Sequence, residues 1–113
     1  ALKIVSLVEN LPRTRTCDVL GKQLLRSATS VGANYRAACR ARSTAEFIAK
    51  MGIVEEEADE TLYWLEMLIE AGALKAQDTT EIVREGNEIL AMTVSSIRTA
   101  RKKVPANNPK SAI

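Results

Sequence analysis

The chain has no histidine, and its 113 residues include only two cysteines, three prolines and four aromatic side chains. Without histidine, a ferritin-like di-metal site, which needs Glu-x-x-His motifs on facing helices, is excluded. Nucleophilic hydrolysis by Ser or Thr also lacks its usual base, and there is no nucleophile elbow. Two thiols are too few for a cysteine metal site. Cys17 and Cys39 fall in one predicted helix, about 33 Å apart along its axis, far beyond disulfide reach. They are read as reduced, mostly buried thiols of a cytoplasmic protein. No glycine-rich phosphate loop is present. No apolar run approaches the ~20 residues that span a bilayer, and no signal peptide is visible, so no membrane partner is expected. The sequence gives no reason to expect an enzyme, a metal or a cofactor.

What is present is helical periodicity. Hydrophobic residues make up 46% of the chain and aromatics 4%, a composition that suits helix-on-helix packing. Ile4, Leu7, Val8 and Leu11 recur at helical spacing and predict a helix over about 2–10, stopped at Leu11-Pro12. A second helix over 15–41 takes its N-cap from Thr14-Arg15-Thr16. Its core face is Cys17, Leu20, Leu24, Ala28, Val31, Tyr35 and Ala38. Gly21 and Gly32 sit inside that helix, where close helix approach is the expected use.

Ser43-Thr44-Ala45-Glu46 has the form of a capping box and opens a third helix over 44–71, with Gly72 as its stop. Phe47, Met51, Val54, Ala58, Thr61, Leu65 and Leu68 form its core face. A fourth helix over 79–103 buries Ile82, Gly86, Ile89, Thr93, Ile97 and Ala100. The expected fold is one all-α domain over 1–104, an antiparallel up-down four-helix bundle. The Pro/Asn-rich segment 105–113 is expected to be a disordered tail.

Charge is unevenly distributed. Residues 1–43 hold eight Lys/Arg and two Asp/Glu, whereas residues 44–75 hold two and eight. On a helical wheel Arg15, Lys22, Arg26, Arg36 and Arg40 occupy one arc of the second helix, opposite its core face and about 37 Å long. Arg42, Arg98, Arg101, Lys102 and Lys103 are candidates to extend it. Guanidinium forks fit phosphate oxygens, so the stripe is a candidate nucleic-acid surface. A solvated helix face and pairing with an acidic helix of a second subunit remain open beside that reading. No aromatics are interleaved to stack bases.

In the third helix Glu55, Asp59, Glu66 and Glu70 share an arc of about 60°. Tyr63, Trp64 and Met67 lie off its core face, and Val19 and Leu25 flank the basic stripe. A monomer has trouble covering all these faces. Val19, Leu25, Glu55, Asp59, Tyr63, Trp64, Glu66 and Met67 are therefore candidate subunit-interface residues. Ser27 and Asn34, at the margin of the apolar face, suit hydrogen bonds that fix register.

The run Gln23-Leu24-Leu25-Arg26-Ser27-Ala28-Thr29-Ser30-Val31, followed by Asn34, resembles the signature of the bacterial four helix bundle protein family. Members are encoded in intervening sequences of large-subunit rRNA genes, and some are labelled ribosomal-protein-like. Leu11-Pro12, Ser43-Thr44-Ala45-Glu46-Phe47 and Glu56-Glu57-Ala58-Asp59-Glu60-Thr61-Leu62-Tyr63-Trp64-Leu65-Glu66 support the resemblance, which covers about residues 1–103. It implies a ring-like, pentameric homo-oligomer. It also implies similarity to the accessory protein of diversity-generating retroelements, a basic pentamer that binds nucleic acid. Where many members carry Glu-Gly after the Asn, this chain has Arg36-Ala37-Ala38, so no role of that carboxylate carries over.

The expected partners are thus other copies of the chain and structured RNA. The alternative is an adaptor that binds another protein and uses its charges between subunits.

Overall fold

The computed structural model describes residues 2–104. Those residues form α1 (Leu2–Glu9), α2 (Arg15–Cys39), α3 (Thr44–Glu70) and α4 (Ala76–Lys102), with no strand among them. The expected disordered tail, 105–113, lies outside the described residues.

The helix ends follow local chemistry. Thr14 caps α2, its hydroxyl accepting from the Cys17 N–H at 3.1 Å. Ser43 caps α3 by accepting from Glu46 N–H at 3.0 Å, and the Glu46 carboxylate reaches back to Arg42 N–H at 3.4 Å. Gly72 ends α3 with φ +79°, the left-handed geometry an L side chain resists. Gly72 N–H donates to Ile69 O, and Ala73 N–H to Leu68 O, which closes the turn. Beyond it, α4 begins three residues earlier than expected, with no side-chain cap from Lys75.

The helices alternate in direction, and α3 packs against both α2 and α4. The result measures 55 × 21 × 21 Å. Two apolar clusters run along its axis. One gathers Ile4, Leu24, Leu65 and Leu68, with Leu7, Val8, Leu11 and Trp64 against it. The other holds Ala38, Met51, Val54 and Ile97, with Val31, Phe47 and Ile48 against it. Between them on α3 lie buried Ala58 and half-buried Thr61, the latter 2.9 Å from Ser27 Oγ of α2.

At eight residues, α1 covers about 12 Å of partners that are each about 40 Å long. It seats against the start of α2, where a Cβ on Gly21 would stand 3.1 Å from Leu11 Cδ1. It is clipped to α4 by Lys3, whose ammonium donates to Glu81 and Glu85 at 2.8 Å each. The Lys3 hydrogen bond holds the Glu81 carboxyl below the usual carboxylate value, and the Glu81 bond raises Lys3.

The molecule is therefore a four-helix bundle at one end and a three-helix bundle at the other. This corrects two core assignments. Tyr35 follows the α2 periodicity but is 43% exposed, because its face looks toward the half of the molecule that α1 does not reach. Cys39 is exposed while Cys17 is buried. Gly32 likewise meets nothing within 4 Å, so helix packing within the chain does not explain it.

Candidate nucleic-acid interface

The antiparallel path of α2, α3 and α4 brings the end of α2, the start of α3 and the end of α4 together. That open end holds Arg36, Arg40, Arg42, Lys50, Arg98, Arg101, Lys102 and Lys103 against Glu46, Glu55 and Glu56. The half that carries α1 has the opposite balance, seven Lys/Arg against eleven Asp/Glu over residues 2–30 and 57–89. Charge is thus sorted by end of the molecule, a pattern invisible in the linear sequence.

Seven of the ten expected cations collect at this end, and all seven are exposed. Arg15 and Lys22 sit in the other half, Lys22 beside Val8, Leu11 and Leu25 in a shallow groove. Arg26 turns sideways toward α3, where its guanidinium meets the carboxylates of Glu57 and Glu60. Among the described residues it is the only one of the ten in an ion pair. The continuous α2 stripe is thus broken in the middle.

Two recesses flank α4 at the basic end. One, of about 580 Å³, lies between the α2–α3 corner and α4. Arg42 and Lys103 border it, and Ser43, Thr44, Ser95, Ser96 and Thr99 add hydroxyls. The other, of about 490 Å³, runs between α3 and α4, with Ile48, Gly52, Val94 and Ile97 below Arg98, Arg101 and Lys102. Sequence reasoning missed the hydroxyl lining and Lys50. The available signal was that Ser95, Ser96 and Thr99 occupy α4 positions beside its core face. Chemically the end offers exposed cations and hydroxyl donors to an extended anion. Among the described residues no group of carboxylates or thiols could hold a metal ion, and no helix is long and apolar enough to cross a membrane.

The expected interface residues are dispersed. Val19 is 56% and Tyr63 50% exposed, while Leu25, Glu55 and Met67 are half-buried. Asp59 and Glu66 flank Tyr63 on the outer face of α3. Trp64 is half-buried against the chain's own core, and its Nε1–H donates to Glu60 at 3.2 Å.

No curated protein matches the chain. One similar solved structure is a Bacteroides thetaiotaomicron protein of unknown function from the S23 ribosomal protein family. It shares 41% identity over 85% of this chain and 89% of its own, with a TM-score of 0.79. A family model for the 23S rRNA-intervening sequence protein matches residues 1–95. By both fold and sequence, then, the chain belongs to the 23S rRNA-intervening sequence protein family.

Proposed function

We propose that this is a non-enzymatic, cytoplasmic protein that assembles into a ring-like homo-oligomer and holds structured RNA through its basic end. The observation that carries the reading is the cluster of Arg36, Arg40, Arg42, Arg98, Arg101, Lys102 and Lys103 at one end, unpaired among the described residues, with Arg42 and Lys103 bordering a hydroxyl-lined recess. Phosphate contacts of this kind give affinity and register without reading base sequence. The exposed aromatics of the described residues are two tyrosines, which is thin material for base stacking. RNA shape is then the feature recognised. The family's name and the ribosomal label of the similar structure agree with an RNA setting.

The test is binding of a labelled structured RNA at low and near-physiological salt, with solution mass measured on the same sample. Affinity should fall roughly ten- to a thousandfold over that rise, as counterion release by several cations requires.

A second reading is an adaptor protein whose charges are used between subunits. It is favoured by one observation: Asp59, Glu66 and Glu70 are exposed on one face of α3 and make no ion pair among the described residues, which leaves them for a second copy's cations. A stable oligomer that binds no RNA at low salt decides for it.

A further inference from the structure

Two surfaces on this molecule are left without an internal partner, and they are complementary. The first is the outer face of α3. Glu56, Asp59, Tyr63, Glu66 and Glu70 are all exposed there, within an arc of about 80° and along about 21 Å of helix. None of the four carboxylates makes an ion pair among the described residues. Tyr63 stands in the middle of them, its ring edge-on to Trp64 at 5.0 Å. An exposed tyrosine ring among four unpaired carboxylates offers an amphipathic contact surface, apolar body and polar rim together.

The second surface is the α3–α4 groove at the basic end. Its floor is Ile48, Gly52, Val94 and Ile97, and its rim is Arg98, Arg101 and Lys102 with one carboxylate, Glu55. Gly52 sits mid-helix, where glycine costs about 1 kcal/mol relative to alanine. A Cβ there would meet nothing within 4 Å. Nothing inside the chain requires glycine at that position, whereas a side chain arriving from outside would need the floor to be bare.

We propose that the outer face of α3 in one copy docks into the α3–α4 groove of the next, with Tyr63 entering over Gly52. Asp59, Glu66 and Glu70 then face Arg98, Arg101 and Lys102. This rests on the oligomeric reading above and adds which surfaces meet. Charge complementarity selects the occupant: the groove has a cationic rim, and the α3 face supplies anions around an apolar centre. Tyr63 and Gly52 lie about 20° apart on one side of α3, so the contact closes either as a reciprocal two-fold pair or head-to-tail as a ring, and the solution mass distinguishes the two. It takes Arg98, Arg101 and Lys102 of the seven cations into the subunit contact and leaves Arg36, Arg40, Arg42 and Lys103 for phosphate.

The test is sedimentation equilibrium on nuclease-treated protein over a range of concentrations. It compares wild type, Gly52→Leu, the groove reversal Arg98→Glu/Arg101→Glu, the stripe reversal Asp59→Lys/Glu66→Lys, and all four reversals combined. Gly52→Leu has a clear Cβ position and fills the groove against its apolar floor, so its helical circular dichroism and melting should match or exceed wild type while self-association weakens at least tenfold. Each reversal pair alone should do the same, and the fourfold reversal should restore assembly. A wild-type oligomer whose mass none of these variants changes overturns the docking and leaves the oligomeric reading standing. A wild type that is monomeric throughout overturns both. Assembly that requires RNA assigns the groove to RNA and overturns the docking.

Discussion

The hydroxyls of Ser27 and Thr61 lie 2.9 Å apart between α2 and α3. Each also reaches a carbonyl of its own helix, Ser27 that of Leu24 at 3.1 Å and Thr61 that of Glu57 at 2.8 Å. The pair therefore fixes register without leaving a buried donor unpaired.

Ser27→Ala should cost no more than about 1 kcal/mol, because the Thr61 hydroxyl keeps its carbonyl partner. Ser27→Leu should cost about 1–3 kcal/mol, since Ser27 is 0% exposed and the added carbons have no space. Urea denaturation separates the two. Equal effects would show that volume does not limit this seam.

Glycine substitutions should split by position. Gly32→Ala should stabilise by about 1 kcal/mol, as its Cβ enters open space in a helix. Gly86→Ala should lose that gain, because its Cβ would stand 2.8 Å from Leu62 Cδ2 and 3.3 Å from Leu62 Cγ. Removing Leu62 in the same chain should make the two changes less than additive. Melting temperatures of the single and double variants check this.

Arg26 and the basic end should separate in function. Arg26→Ala should leave RNA affinity within about twofold and lower stability by at most ~1 kcal/mol, the range for an exposed ion pair. Reversing Arg40, Arg42 and Lys103 together should weaken RNA binding at least tenfold and flatten its salt slope by about 0.7–0.9 per lost phosphate contact. An unchanged slope would remove these three residues from the interface.

The clip between α1 and α4 should depend on pH. Glu81 has a depressed pKa, so its contribution is present above the ordinary carboxylate value of 4.5 and is lost as pH falls through the folded value. Lys3 is raised above 10.5, so the basic limb of the same contact is lost only as pH rises beyond that. Protection factors of α1 amides, corrected for the intrinsic exchange rate, should fall on acidification more in wild type than in Lys3→Met. Equal acid sensitivity would show that other carboxylates hold α1.

Much of this molecule was legible along the chain. Thr14, Ser43 and Gly72 act where the sequence places them, because caps and left-handed stops depend on neighbours within one turn. The core faces of α2 and α3 follow the same local rule through Ala38, with Tyr35 the exception, and through Leu68. Helical periodicity states which side of a helix is apolar. It does not state how far the neighbour along that side extends.

That second quantity is where sequence and structure part. Tyr35 has the spacing of a core residue and is exposed, since α1 ends its cover short of it. Arg26 has the wheel position of a solvent cation and is paired, since α3 brings Glu57 and Glu60 within its reach. Gly86 was read as a core position, and only the approach of Leu62 gives its bareness a reason. The sequence by itself determined four helices, their caps and their apolar faces, all consequences of contacts within a few residues. The tertiary structure decided that cations from α2 and α4, remote in the chain, share one end. The physical reason is that antiparallel packing sets positions by inter-helix register, which the local period does not encode.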